Sequence, residues 1–441
     1  MFRYYLEMAL RSLKRNKVLT ALMVLAIAVG IGASMTTLTV MHILSGDPLP
    51  GRSAHLYYPQ VDPTPNDSYY GHNKHPLPMM DDRSAMDLWS AHRADRQALV
   101  VDSPVKVRSP DANLPPLMLG MTSTTSDFFP MFGVPFQYGG AWTAADDAGH
   151  ARVAVISSDL NAKLFGGRDS VGKTLRLKDS DVRIVGVLKP WRPIPRFYSI
   201  AGGIGANNQG ADPYARPEDV FTPYFTGLDI NGENFGPYTC WGHATPGHMV
   251  NSPCVWVSLW VELDSAAKAS AYRDFIANYA QQQKALGRFQ QTDTRMLDLM
   301  GWLDAEHVIP SDAQLQMWLA FAFLVICLFN TVGLLLAKFL RRSGEIGLRR
   351  ALGASRRAIF AQCLVEAGLI GFIGGVGGWL LTLLGLWLVR RQQTPYSDLV
   401  HMDTSMFGIT FVLAVAVSLL AGALPALRAS RIAPALQLKT L

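Results

Sequence analysis

The sequence predicts an α-helical membrane protein with four transmembrane helices and a large extracytoplasmic α+β domain inserted between the first and second helices. The first indication is the composition: 49% of the residues are hydrophobic and 17% are charged, between the values typical of soluble and of fully membrane-embedded proteins. The second is that the apolar residues form four runs without Asp, Glu, Lys or Arg, containing 29, 25, 23 and 24 residues. Each run exceeds the about 20 residues that a helix needs to cross a bilayer.

The four runs define the predicted transmembrane spans. These spans are 18–44, 315–337, 367–389 and 407–427. Buried core helices would be the alternative, but four runs of this length in one chain favour a membrane. A cleaved signal peptide is a second alternative for the first run, yet such peptides have an apolar region of only about 7–15 residues. We therefore expect the first span to be retained.

The charges predict the orientation of the chain in the membrane. Residues 1–17, 338–366 and 428–441 together carry a net charge of +12, whereas 45–312 carries −6 and 390–406 is neutral. Basic residues beside the ends of spans mark the cytoplasmic side. We therefore expect both termini and the 338–366 loop in the cytoplasm, and the other two regions outside it. The basic excess is explained in this way, and we expect no nucleic-acid partner.

Residues 1–17 show apolar side chains at helical spacing opposite basic ones. This pattern predicts an amphipathic helix that lies on the cytoplasmic face and contacts membrane lipid.

Small residues at the spacing of helix contacts occur in two of the spans. They are Gly30 and Ser34 in the first span, and Gly371, Gly374, Gly375 and Gly378 in the third. We expect them to pack helices closely, either within the chain or between two copies. Asn330, the most obviously polar residue of the second span, could bond across helices or to its own helix backbone.

Region 45–312 shows the alternating pattern of a mixed α+β domain. The predicted strands are 151–158, 181–188 and 255–263, and the predicted helices are 158–166, capped by Ser158 or Asp159, and 265–287. Residues 57–78, rich in Pro, Asn, Asp and Tyr, are expected to form a loop.

Cys240 and Cys254 both lie in the exported region, where an oxidising compartment favours a disulfide. Two free buried thiols are the alternative. His243 and His248 stand nearby, but their spacing matches no metal motif, so we expect no metal site. We also find no catalytic constellation and expect a non-catalytic chain.

Residues 167–174 fit the phosphate-loop pattern G-x-x-x-x-G-K-[ST]. Such a loop needs a strand before it and a helix after it, so that the helix N-terminus faces the phosphates. Here the predicted order is the reverse. We expect a glycine-rich turn that binds no nucleotide.

The loop 338–366 combines basic residues with three glycines and one acidic residue near its centre. A short helix containing Arg349 and Arg350 is expected there, followed by a second helix that begins near Ser355 and continues into the third span. Basic residues at lipid headgroups would explain the positive charge. They would not require Glu345 or the glycines, which favour a docking surface for another protein.

Several stretches together resemble the MacB/FtsX-type permeases of ABC transporters, the type VII or mechanotransmission group. They are "GEIGLRRALGASRRAIFAQCLVEA", "FNTVGLLLAKFLRRSGEIG" and "LPALRASRIAPALQL" in the membrane part, and "TSDFFPMFGVPFQYGGAW" and "VAVISSDLNAKLFGGRDSVGKTLRL" in the exported part, which resembles a MacB-like periplasmic core. The resemblance covers nearly the whole chain and is weakest over 55–110 and 190–310.

The resemblance implies a bacterial inner-membrane permease that works as a dimer, with a second copy or a paralogue, and is driven by two cytoplasmic ABC ATPase subunits. ATP and Mg²⁺ would be bound by that separate ATPase, and we expect no cofactor on this chain. Residues 344–354 match the family's coupling segment, which implies that its residues contact the ATPase. They are Gly344, Glu345, Ile346, Gly347, Leu348, Arg349, Arg350, Ala351, Leu352, Gly353 and Ala354. The tail 428–441 matches a second segment near that ATPase.

The expected function is export of, or resistance to, peptides, antibiotics or other toxic compounds. A periplasmic adaptor and an outer-membrane channel are possible further partners. Release of lipoproteins and regulation of a cell-wall hydrolase are alternatives within the family. A membrane-anchored sensor is the alternative outside it.

Overall fold

A computed structural model describes residues 2–71, 73, 75–109, 115–200, 212–245, 247–309, 311–392, 396–400 and 404–430. It divides into two compact units. The membrane unit comprises residues 1–45 and 310–441, and the inserted domain comprises residues 46–309.

The described helices and strands follow one another along the chain in this order. The α-helices are α1 Phe2–Arg15, α2 Lys17–Leu44, α3 Asp82–Ser90, α4 Phe128–Phe132, α5 Ala144–Ala148, α6 Ser158–Phe165, α7 Tyr224–Asn231, α8 Ala266–Ala285, α9 Leu299–Ala305, α10 Ser311–Arg341, α11 Ser343–Ala351, α12 Arg356–Arg391 and α13 Thr404–Ser430. The strands are β1 Leu56–Val61, β2 Arg96–Arg108, β3 Leu117–Thr124, β4 Phe136–Gly139, β5 Val153–Ile156, β6 Thr174–Leu177, β7 Ser180–Leu188, β8 Val220–Pro223, β9 Thr239–Cys240, β10 Cys254–Val255, β11 Ser258–Glu262 and β12 Thr294–Asp298.

Four helices of the membrane unit, α2, α10, α12 and α13, are long and apolar enough to cross a membrane, with mean hydropathies of 2.3, 2.5, 1.9 and 2.4. Helix α12 packs against both α2 and α13, and α10 packs against α2. The inserted domain lies in the sequence between α2 and α10. The predicted fold class is therefore confirmed.

The glycines of α12 face two different neighbours. A Cβ atom added at Gly374 would lie 2.7 Å from Ile27 Cγ2 of α2, and one at Gly378 would lie 3.0 Å from Ile31 Cγ2. Such distances leave no room for a side chain, so α12 and α2 approach closely along this pair.

The second glycine pair of α12 faces α13. A Cβ atom at Gly371 would overlap Ser418 Oγ, and one at Gly375 would lie 2.7 Å from Ala414 Cβ. Both overlapping G-x-x-x-G pairs are thus occupied by helices of the same chain.

Helix α2 meets α10 through small and polar groups. A Cβ atom at Gly30 would lie 3.0 Å from Cys327 Cβ, and Ser34 Oγ donates a hydrogen bond to the Ala320 carbonyl at 3.0 Å. Asn330 differs from the expectation of a helix-packing residue, because it lies on the exposed part of α10. The reason is rotational: Ala320, Leu324 and Cys327 of α10 face α2, and Asn330 lies roughly a quarter turn around the helix from the middle of that stripe.

The inserted domain is built on a ten-stranded sheet in the order β12-β1-β11-β2-β3-β8-β5-β7-β4, with β6 pairing β2 and β7. The pairs β3–β8 and β5–β7 are parallel. Strands β9 and β10 form a separate antiparallel pair, in which Cys240 and Cys254 are opposite each other and joined by a disulfide.

The core beside this sheet is aromatic. Phe132 packs edge-to-face on Phe197 and on Trp260, with ring centroids 4.8 and 5.9 Å apart. All three rings are buried. Next to them, the buried Arg196 and Glu218 form an ion pair.

Three local expectations for the inserted domain need correction. Part of the expected 57–78 loop is strand β1, because tertiary pairing places Leu56–Val61 between β11 and β12. The expected strand 255–263 is interrupted: β10 ends at Val255 and β11 begins at Ser258, because Val257, which lies between the two strands, pairs with Met80. Helix α6 is capped by Ser157, whose Oγ accepts a hydrogen bond from the Leu160 amide at 3.0 Å.

The stretch that fits the phosphate-loop pattern connects α6 to β6. Gly166 ends α6 with a left-handed φ of 66°, and β6 begins at Thr174. A helix thus precedes the glycines and a strand follows them, which is the reverse of a phosphate-binding loop.

Candidate functional site

The predicted coupling segment, residues 344–354, consists of most of α11 and the turn that follows it. The turn is tightly defined, since the Ala354 amide donates to the Arg349 carbonyl at 3.0 Å and Gly353 has a φ of 98°. Glycine adopts this left-handed conformation without strain. Ser355 then caps α12 by accepting a hydrogen bond from the Ala358 amide at 3.1 Å. Both ends of the turn are therefore fixed.

Helix α11 has an inner and an outer face. On the inner face Gly347 is buried, and Ile346 packs against the apolar core of the membrane unit. On the outer face Leu348 and Leu352, one helical turn apart, are 58% and 81% exposed. Gly344, Ala351 and Gly353 are exposed as well. The coupling segment thus presents an apolar surface outward.

The charged side chains of α11 turn toward its neighbours. Glu345 accepts hydrogen bonds from Arg349 Nη2 at 2.9 Å and from Arg342 Nε at 3.3 Å. Arg349 Nη1 also donates to Gln362 Oε1 of α12 at 3.1 Å. Arg15 of α1 lies 3.8 Å from Glu345. These contacts fix the rotation of α11 about its axis.

A second layer of charge lies beneath α11. Lys338 at the end of α10 is fully buried, and its Nζ lies 2.6 Å from Glu366 Oε1 of α12. Arg342 Nη1 lies 3.3 Å from Glu366 Oε2 and donates to Ser12 Oγ of α1 at 2.7 Å. The Ser12 hydroxyl in turn donates to Glu366 Oε1. We call Ser12, Lys338, Arg342, Glu345 and Glu366 the charge cluster.

The charge cluster leaves little empty space. A cavity of about 20 Å³ lies between α11 and α12, lined in part by Arg342, Glu345, Arg349 and Glu366. This volume suits a single water molecule rather than a nucleotide or a substrate. Among the described residues, no three His, Cys, Asp or Glu side chains are grouped to bind a metal ion.

The coupling segment also touches the end of the last helix. Arg350 Nη1 donates to the Ser430 carbonyl of α13 at 3.5 Å. The rest of the tail, 431–441, which the resemblance places near the ATPase, lies outside the described residues.

Sequence reasoning did not identify Ser12, Lys338, Arg342 or Glu366 as site residues. In the sequence, Lys338 follows the second apolar run directly and Glu366 precedes the third, which gives them no role beyond delimiting these runs. Their opposite signs at adjoining ends of two spans were the available signal. Ser12 offered no comparable signal.

The family models cover most of the chain. Residues 20–279 match the model described as the MacB-like periplasmic core domain. Residues 317–434 match the model described as the FtsX-like permease C-terminal region. With the four apolar helices, these matches place the chain in a bacterial inner membrane.

Curated relatives carry export names. The macrolide export ATP-binding/permease protein MacB of Bradyrhizobium diazoefficiens is 25% identical over 99% of this chain and 60% of the relative. The pyoverdine export ATP-binding/permease protein PvdT of Pseudomonas syringae pv. tomato is 24% identical over 69% of this chain and 40% of the relative. The chain thus spans less than two thirds of the length of these relatives.

Among solved structures, the periplasmic region of MacB from Actinobacillus actinomycetemcomitans matches 58% of this chain and 94% of that chain. The identity is 12% and the TM-score is 0.36.

Proposed function

This chain belongs to the family of MacB/FtsX-type ABC transporter permeases, and we propose that it is the permease subunit of an ABC-type export complex. In this proposal a separate ATPase binds the coupling segment and hydrolyses ATP with Mg²⁺. The permease transmits the resulting movement through its spans to the inserted domain. The chain itself carries out no chemical step.

We propose that the coupling segment and both termini face the cytoplasm. The distribution of charge supports this orientation, because the +12 of the segments beside the spans contrasts with −6 in region 45–312. The inserted domain is then periplasmic. A dimer with a second permease would provide one coupling segment for each of two ATPase subunits.

The outer face of α11 is the observation on which this proposal depends. Leu348 and Leu352 remain exposed although the rest of α11 is fixed by ion pairs and by the turn at Gly353. Leu348, Ala351 and Leu352 are exposed at the spacing of one helix face, a continuous apolar patch of this kind favours contact with a partner, and a rigid surface loses less entropy on binding. Helix α11 therefore has the properties of a preformed docking element.

Export is supported by the names of the relatives, which refer to two different compounds, a macrolide and pyoverdine. Because the two compounds differ chemically, we propose the wider class of peptides, antibiotics and other toxic compounds as substrates. A periplasmic adaptor and an outer-membrane channel would complete the export route.

Replacement of Leu352 by Asp tests the docking surface. We expect Leu352→Asp to reduce, by about tenfold or more, the amount of ABC ATPase that purifies with the tagged chain from its native membranes, because a buried unpaired carboxylate opposes binding. Mg²⁺-dependent ATP hydrolysis by the purified material should fall in parallel. Leu286→Asp in the inserted domain is the matched control, since Leu286 is also exposed, at 67%.

Three results would contradict the proposal. The first is full ATPase binding and hydrolysis by the Leu352→Asp complex. The second is hydrolysis by the isolated chain. A topology reporter that places Arg350 outside the cytoplasm would also exclude it.

A further inference from the structure

We infer that helix α1 is part of the coupling machinery: the Ser12 hydroxyl joins α1 to the charge cluster beneath α11, so that α1 and α11 move together. The contact itself is a feature of the folded membrane unit. Its role in transmitting movement rests on the proposed function.

The Ser12 hydroxyl occupies a central position in the charge cluster. It accepts a hydrogen bond from Arg342 Nη1 at 2.7 Å and donates one to Glu366 Oε1. Its two partners are 330 and 354 residues away in the sequence, on the linker before α11 and on α12. A hydroxyl can donate and accept at once, which suits it to join a cation and an anion.

Burial makes this contact stronger than a surface hydrogen bond. Ser12 is 4% exposed, Glu366 2% and Lys338 0%. Hydrogen bonds to ionised groups are stronger than neutral ones, and in a low-dielectric site an unpaired partner is costly. Separate movement of α1 and α11 would leave Arg342 and Glu366 with fewer partners.

The apolar neighbours of Ser12 on the same face of α1 support the same conclusion. Ala9 and Leu13 are buried, and Leu13 belongs to the apolar core of the membrane unit. Tyr4 and Leu10 remain exposed, at 58% and 43%. Helix α1 is therefore packed against the spans on one side and free to contact lipid on the other. The contact between Arg15 and Glu345 is too exposed to join the helices by itself.

Replacement of Ser12 distinguishes the hydroxyl from the volume of the side chain. We would measure amide hydrogen exchange of the full-length chain in lipid nanodiscs. In Ser12→Ala we expect exchange in both α1 and α11 to rise by about fivefold or more, because the link between them is lost. Ser12→Thr retains the hydroxyl and should remain within about twofold of the unchanged protein.

Two further variants sharpen this measurement. Arg342→Gln removes the cation but keeps Ser12, and it should raise exchange in the same two helices. Ser418→Ala removes a buried hydroxyl that donates to the Ala414 carbonyl within α13, and it should leave α1 and α11 unchanged. Unchanged exchange in Ser12→Ala, or a rise in α1 without α11, would overturn the inference.

A second measurement separates this inference from the proposed function. In the complex with the ATPase, Ser12→Ala should keep the ATPase bound, because Leu348 and Leu352 are intact. The change in amide hydrogen exchange of α1 that ATP and Mg²⁺ cause in the unchanged protein should be lost in Ser12→Ala. The same change in Ser12→Ala as in the unchanged protein would refute transmission through α1. If the unchanged protein binds no ATPase, the proposed function fails, while the nanodisc measurement still decides whether α1 and α11 are joined.

Discussion

The membrane unit and the inserted domain each bury an ion pair, but in different surroundings. In the inserted domain, Arg196 and Glu218 lie beside aromatic rings, and Tyr198 donates to Glu218 Oε2 at 3.1 Å. In the membrane unit, Lys338 and Glu366 lie where α1, α10 and α12 meet. One pair is surrounded by a dense core, and the other joins the ends of separate helices.

The cores of the two units also differ in the size of the side chains that they bury. The largest fully buried side chains among the described residues, from Tyr58 to Trp302, all belong to the inserted domain. The spans instead meet where small residues of one helix lie against aliphatic or small side chains of the next, as Gly374 does against Ile27 and Gly375 against Ala414. Burial of large apolar groups drives folding in water, whereas helices in lipid associate by close packing and polar contacts. We conclude that polar contacts weigh more in the membrane unit than in the inserted domain.

Glu366→Gln should have the largest effect. It leaves Lys338 and Arg342 without their buried carboxylate, at an expected cost of about 3–5 kcal/mol in the free energy of unfolding. We expect a lower yield of monodisperse protein after detergent extraction and a lower temperature of thermal unfolding.

The corresponding variant of the inserted domain is Glu218→Gln. Its effect should be confined to that domain, and the helices of the membrane unit should unfold at an unchanged temperature. If the two variants lowered the same single transition equally, the distinction between the units would be wrong.

Gly374→Ala should have an intermediate effect. The added methyl group would lie 2.7 Å from Ile27 Cγ2, and overpacking of this kind costs about 1–3 kcal/mol. Gly333→Ala is the matched control, because a Cβ at Gly333 of α10 meets no atom within 4 Å. Thermal unfolding in detergent compares the two. Equal stability of both variants would show that the contact between α12 and α2 adapts without cost.

The last expected effect is a pH dependence of the inserted domain. Burial, and secondarily the charge of Glu218, raise the pKa of Asp102 to about 8, while Arg196 and a hydrogen bond from Thr122 act in the opposite direction. In the unfolded chain the Asp102 carboxyl has its ordinary pKa of about 3.9. The folded domain thus binds more protons between these values, and its stability should decrease as the pH rises from about 4 to about 8.

Asp102→Asn removes this titration while keeping an oxygen that can accept from Thr122. Unfolding followed by tryptophan fluorescence should show a shallower pH dependence for Asp102→Asn than for the unchanged chain. The same slope in both would assign the pH dependence to other groups.

Much of the architecture could be read from local features of the chain. The four spans follow from uninterrupted apolar runs, and α11 follows from glycines and charges within about ten residues of one another. The reversed order of helix and strand around residues 167–174 could also be predicted from the sequence, because α6 and β6 each have a clear local pattern. The first and last residues of β1 and β11 could not be predicted, because pairing with distant strands sets them.

The amino-acid pattern alone thus specified how many helices cross the membrane, where the domain is inserted and that a short helix, α11, lies between the second and third spans. Each of these features depends on residues that are neighbours in the sequence. The folded chain was needed to show that Gly374 and Gly378 face α2 while Gly371 and Gly375 face α13. It was also needed to show that Ser12 meets Glu366 from 354 positions away. Contacts of that range follow from how the helices pack, and no local pattern encodes the rotation that brings one buried hydroxyl to one buried carboxylate.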